Sequence, residues 1–170
     1  MIRNKYGQVW IETVLYTIVG LAIIGIVLGF VMPKINQSRD NIIVEQSIKA
    51  MKELDAKIKD VSKQQGNIGK VELSIKRGYL DINASNNSIY LVIDDLSFLY
   101  SEANVTINDG DVKIKTVKGQ KVNSVYLTLY YDSDITYAGQ NLNKKITAAS
   151  LPYNIYIENK GNGQIDITGG

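Results

Sequence analysis

Residues Thr13 to Met32 read TVLYTIVGLAIIGIVLGFVM, twenty residues without a charged side chain. An α-helix rises about 1.5 Å per residue, so roughly 20 apolar residues cross the ~30 Å hydrocarbon layer of a bilayer. The run is too long, and too apolar on every face, for the core helix of a globular domain. It also differs from a secretory signal, which has a shorter apolar stretch ending in a small-x-small cleavage site. Here the stretch ends in Phe30-Val31-Met32-Pro33-Lys34, so the segment is expected to stay with the mature protein. Arg3 and Lys5 precede the span and favour a cytoplasmic N-terminus, although Lys34 and Arg39 on the far side weaken the bias. Everything from about Lys34 onward is then exported.

One carboxylate stands at the mouth of the span. Glu12 is costly at the edge of an apolar layer unless it snorkels to the interface or finds a partner. The residues before it are Lys5-Tyr6-Gly7-Gln8-Val9-Trp10-Ile11-Glu12. They form a short basic leader, a glycine, and an apolar helix with glutamate as its fifth residue.

This arrangement resembles the type IV pilins, whose class III signal peptide is cut by prepilin peptidase after the glycine. The resemblance implies cleavage between Gly7 and Gln8, with Glu12 the fifth residue of the mature chain. It further implies that Glu12 pairs with the free amine of Gln8 on a neighbouring subunit during filament assembly. Physically, a buried carboxylate and a buried ammonium are each expensive alone and less so together. Gln8 replaces the bulky apolar residue usual after the cut in bacterial pilins, and Pro33 falls later than their helix-kinking proline. Gln8 after the glycine, the absence of cysteine and the Asn, Thr and Tyr of the exported part more closely resemble archaeal type IV pilins.

Gly20, Gly25 and Gly29 lie within the span, and Gly25 and Gly29 have the GxxxG spacing that lets helix backbones approach. The resemblance makes them points of packing and flexibility in a filament core. Pro33 removes a helical donor and predicts a kink or a break. Beyond it, Ile42, Ile43, Val44, Ile48, Met51, Leu54, Ile58 and Val61 recur at three- and four-residue steps among charged residues. That is an amphipathic helix whose stripe packs on its own domain, with too few heptads for a coiled coil. Lys63-Gln64-Gln65-Gly66-Asn67 closes it, with Gly66 as C-cap.

After Gly66 the apolar period drops to two, as in Val71-Glu72-Leu73-Ser74-Ile75, Val105-Thr106-Ile107, Val112-Lys113-Ile114, Val125-Tyr126-Leu127-Thr128-Leu129, Tyr153-Asn154-Ile155-Tyr156-Ile157 and Ile165-Asp166-Ile167. Ile89 to Ile93 adds another strand, and glycine- and asparagine-containing turns separate them. The expected fold is α+β: a long N-terminal helix packed on an antiparallel sheet or small sandwich of eight or so strands. The expected segments are a leader at 1–7, a membrane or filament-core helix at 8–33, an amphipathic helix at 34–65 and an extracellular β-rich head at 66–170.

The chain has eleven Tyr against two Phe and one Trp. Tyr126, Tyr130 and Tyr156 oppose the apolar residues of their strands, where they cover a second face, pack between subunits or bind a surface. Asn36, Asn83, Asn86 and Asn104 open N-x-S/T sequons on the exported side and are candidate N-glycosylation sites.

Catalytic chemistry is not indicated. With no Cys and no His there is no Cys/His zinc site, cysteine nucleophile, disulfide or Ser-His-Asp triad. Asp94-Asp95, Asp109/Asp111 and Asp132/Asp134 sit beside turns that favour Asp for its own backbone bonds, and none has EF-hand spacing. No phosphate or dinucleotide loop is present. No cofactor or metal is expected, and a net charge of +2 does not argue for nucleic acid.

The expected function is a structural one. The resemblance implies a pilin, anchored in the plasma membrane by its N-terminal helix and then assembled with identical subunits into an extracellular filament serving adhesion. Its partners are membrane lipid, prepilin peptidase and the pilus assembly machinery. The alternatives are a minor pilin or pseudopilin of a secretion or initiation system, and a non-polymerising single-span protein that displays a β-sandwich binding domain.

Overall fold

The computed structural model describes residues 5–169, with side chains described from Val9 onward. Helix α1 runs Lys5–Ser62, 58 residues, and among the described residues the regular elements after it are strands and one short 3-10 turn. The class is α+β, as the change of period at Gly66 predicts. Pro33 lies inside α1 and does not break it. Proline removes one hydrogen bond from a long ladder, and the residue four positions earlier, whose carbonyl its ring crowds, is Gly29.

By its contacts the chain divides into two units, residues 1–38 and 39–170. In the first, every large apolar side chain from Val9 to Met32 is exposed, from 41% for Val14 to 77% for Phe30. In the second, the remainder of α1 lays Val44, Ile48, Met51, Leu54, Ile58 and Val61 into the core, each at most 3% exposed. This is the predicted stripe, except that Ile42 stays outside.

The strands are β1 (Ile68–Leu73), β2 (Tyr79–Asn83), β3 (Ser88–Leu96), β4 (Thr106–Asp109), β5 (Val112–Val117), β6 (Asn123–Tyr130), β7 (Asp134–Tyr137), β8 (Lys144–Thr147), β9 (Tyr153–Gly161) and β10 (Gln164–Gly169). They form a four-stranded sheet, β1-β9-β10-β7, and a six-stranded sheet, β4-β5-β6-β3-β2-β8. Among the described residues all strand pairs are antiparallel but one: β7 runs parallel to β10, with Ile135 beside Ile165. The inner rows of both sheets meet in one core with the helix stripe, including Leu73, Ile157 and Ile167 from the smaller sheet and Leu80, Leu91 and Leu127 from the larger.

Two polar clusters fasten the helix. At one end the buried Asp40 accepts hydrogen bonds from Arg77 Nη1 at 2.8 Å, Ser97 N at 2.8 Å and Ser97 Oγ at 2.6 Å. Burial pushes the Asp40 carboxyl up, but Ser97 and the Arg77 guanidinium outweigh it and hold the group below its usual range. At the other end, Asn159 Nδ2 donates to the carbonyls of Val61 and Ser62 at 3.3 and 3.1 Å. Those carbonyls are among the acceptors that a helix C-terminus leaves unpaired. Gly66, the expected C-cap, stands four residues beyond the helix. It has φ +81° and donates its N–H to the Asn159 carbonyl at 2.8 Å, so its glycine serves the following turn.

Candidate functional site

The first candidate is the apolar face of α1. Gly7 and Gln8 are helical, but their side-chain surroundings, like all of Met1–Asn4, lie outside the described residues. Glu12 is exposed on α1, one turn before Tyr16. Thr13 Oγ1 donates to the Val9 carbonyl and Thr17 Oγ1 to the Thr13 carbonyl, both at 2.9 Å. These bonds satisfy the two hydroxyls within the helix itself, which lowers their cost in an apolar setting. A Cβ added at Gly20, Gly25 or Gly29 meets nothing within 4 Å. At 100° per residue, Gly25 and Gly29 share a face and Gly20 lies well round from them. The helix is long and apolar enough to cross a membrane, and none of its apolar window is buried.

The sequons differ in setting. Asn36 lies within α1. The Asn83 side chain accepts from Asn86 N at 3.0 Å, capping the 3-10 turn Ala84–Asn86. Asn86 is exposed, but the Ser88 of its sequon is fully buried. Asn104 and its partner Thr106 are both exposed, and Asn104 has φ 64°.

The carboxylate pairs are used separately. Asp109 pairs with Lys52 at 2.6 Å, Asp111 with Lys59 at 2.5 Å, and Asp134 accepts from Asn87. Lys59 also reaches the largely buried Asp55 at 2.7 Å, and its ammonium is held above the usual range by Asp111 first and Asp55 second. Among the described residues no group of three or more His, Cys, Asp or Glu is placed to hold a metal ion.

The second candidate was only half visible in the sequence. Tyr126 and Tyr130 project from β6 on the outer face of the six-stranded sheet, whereas Tyr156 belongs to β9 in the other sheet and does not join them. Register supplies the missing neighbours. Thr128 pairs with Tyr90 of β3 and with Lys113 of β5, and Tyr126 pairs with Lys115. The Tyr90 and Tyr130 rings meet edge to face, 6.4 Å between centroids at 83°. Lys113 Nζ lies 4.7 Å from the Tyr130 centroid. Together with Thr106 and Asn108 these residues line an open cleft of about 670 Å³. Tyr90 escapes a sequence reading because it lies within the unbroken apolar run Ile89–Ile93, in which Val92, on the same outer row, is itself only 5% exposed.

Compared with known proteins, the chain matches no family model, no curated sequence and no solved structure. The class that the fold itself defines is a single long apolar N-terminal helix joined to a β-sheet head, a form compatible with membrane anchoring.

Proposed function

We propose that this chain is a type IV pilin-like subunit, made as a membrane-anchored precursor and assembled with identical copies into an extracellular filament. The observation that carries the reading is the helix surface from Val9 to Met32. It is apolar on all sides and exposed throughout, with one carboxylate, Glu12, at its head. Seventeen large apolar side chains left in water would be costly, at about 25 cal/mol per Å² of apolar surface. Lipid before assembly and neighbouring helices afterwards both remove that cost. Glu12 then meets the Gln8 amine of another copy, which sets the register of one subunit on the next. Removal of Arg3 and Lys5 with the leader leaves seventeen basic and seventeen acidic side chains, so no net charge opposes close packing. The head faces outward and serves adhesion.

Two measurements test this. Intact mass or N-terminal sequencing of the processed protein gives a start at Gln8; a retained Met1 or Ile2 refutes pilin processing. Glu12→Ala leaves the protein in the membrane and abolishes or slows filament formation. Normal filaments from Glu12→Ala cells would remove the pairing from the mechanism.

A further inference from the structure

The cleft on the outer face of the six-stranded sheet has the parts of a recognition site, and none of them serves the helix or the core. The three tyrosines present rigid, amphipathic rings of which Tyr130 is 55% exposed and Tyr90 and Tyr126 are half-buried. The edge-to-face contact between Tyr90 and Tyr130, with the Lys113 ammonium beside the Tyr130 ring, fixes the ring planes before anything binds. Around the rings stand side chains that donate and accept hydrogen bonds: Thr106, Asn108 and Thr128.

The charge is equally specific. Lys113 and Lys115 are two residues apart on one strand, so they share a face at roughly 7 Å spacing. Neither forms an ion pair among the described residues. Beyond the tyrosines on the same face, Asp81 stands between Tyr90 of β3 and Lys145 of β8, and the Lys145 ammonium sits 3.4 Å from the Tyr79 centroid. Asp81 and Lys145 offset one another, which leaves Lys113 and Lys115 as the two positive charges of the cleft.

From this geometry we propose that the cleft binds a carboxylated polysaccharide, a chain of uronic-acid type. Sugar rings present C–H faces that lie on tyrosine rings, hydroxyls that pair with Thr and Asn side chains, and carboxylates that answer the two lysines. The cleft is open along the sheet, which suits a polymer passing across it. A nucleic acid, charged at every nucleotide, needs a longer basic track than two lysines on a head flanked by Asp81. This inference rests on the head alone and stands whether or not the chain forms filaments.

The test uses the full-length protein in detergent micelles, with binding measured against polygalacturonate, neutral dextran and a single-stranded DNA oligonucleotide. Polygalacturonate binds, dextran and DNA bind at least tenfold more weakly, and added salt weakens the complex. Lys113→Ala/Lys115→Ala and, separately, Tyr130→Ala reduce polygalacturonate affinity about tenfold or more. Both variants alter exposed side chains, so circular dichroism and the melting temperature remain those of the parent. The control Lys145→Ala, at the residue offset by Asp81, binds like the parent. Absence of polygalacturonate binding, equal binding of dextran, preference for DNA, or unchanged affinity in the cleft variants each overturns the proposal. So does self-association of the parent that Tyr130→Ala abolishes, which would make the cleft a contact between copies.

Discussion

Arg77 and Asp40, 37 residues apart, are joined by a hydrogen-bonded ion pair of 2.8 Å in which the carboxylate is nearly buried and the guanidinium is 29% exposed. The same Nη1 also donates to the carbonyl of Asp95 at 2.8 Å. Asp95 has φ 55°, so one arginine holds both the helix and a left-handed residue at the end of β3.

Asp40→Ala leaves this guanidinium and the Ser97 amide without their carboxylate. Breaking a fully buried pair costs about 3–5 kcal/mol. With Arg77 partly solvated the expected loss is about 2–4 kcal/mol, read from the urea midpoint. The pH dependence has a definite sign. A carboxyl held low in the fold contributes in full above its ordinary value of 3.8 and loses that contribution as pH falls through the lower native value. A variant as stable as the parent at neutral pH would show that the pair contributes nothing.

Asn159→Leu removes the donor to the Val61 and Ser62 carbonyls and the acceptor of the Gly161 N–H. An unsatisfied buried polar group costs about 1–3 kcal/mol, and solvent can recover part of the helix end. A net destabilisation of about 2–3 kcal/mol follows by that reckoning. Hydrogen exchange localises it: amides from Ile58 to Gly66 lose protection before those of β6. Uniform loss across the head would contradict a local latch.

Two tyrosines make the head sensitive to alkali. Burial first, then the hydrogen bond to Glu45 at 2.7 Å, raises Tyr100 to about 12, and burial with Asp55 raises Tyr131 further. Their phenols stay protonated in the fold at pH values where unfolded tyrosines ionise, near 10. Their contribution to stability is complete below pH 10 and is lost as pH rises through the native values. Tyrosinate absorbance at 295 nm should therefore show a late phase that coincides with unfolding. A single titration step near pH 10 in a folded protein would sink this assignment.

The sequons are not equivalent acceptors. In an N-glycosylating host, Asn104 carries the highest occupancy, because Asn104 and Thr106 are both exposed. Asn86 stays unmodified once folded, since the Ser88 hydroxyl of its sequon is buried. Glycopeptide mass spectrometry of the parent and of Asn104→Gln decides the order. Full occupancy at Asn86 with none at Asn104 would reverse it.

The helix stripe was legible in the sequence because Val44, Met51 and Ile58 recur at a period that only one secondary structure satisfies. Long alternating strands such as β6 and β9 were legible for the same reason. Short strands with one or two apolar residues were not: β8 has Ile146 among two lysines and a threonine, and β7 is four residues long. The parallel pairing of β7 with β10 has no local signal at all. Asp40, Arg77 and Ser97 meet only through the tertiary fold, so their partnership is invisible along the chain. Alternation puts Tyr126, Tyr130 and Tyr156 opposite the apolar residues of their own strands, as the structure has them, but it does not show which sheet each strand joins, so the cleft itself has no signal along the chain.

The order β1-β9-β10-β7 has a bearing on timing. Strand β1 finds its partner some eighty residues later, and β10 lies between two other strands. A chain made from its N-terminus presents β1 through β6 first, and of these β2 to β6 can pair with one another before the rest is complete. The smaller sheet must wait for its interior strand, and the Asn159 latch on the helix waits with it. Until residues 153–169 are made, the stripe from Val44 to Val61 has only part of its cover, so the helix face is the last apolar surface of the head to be closed.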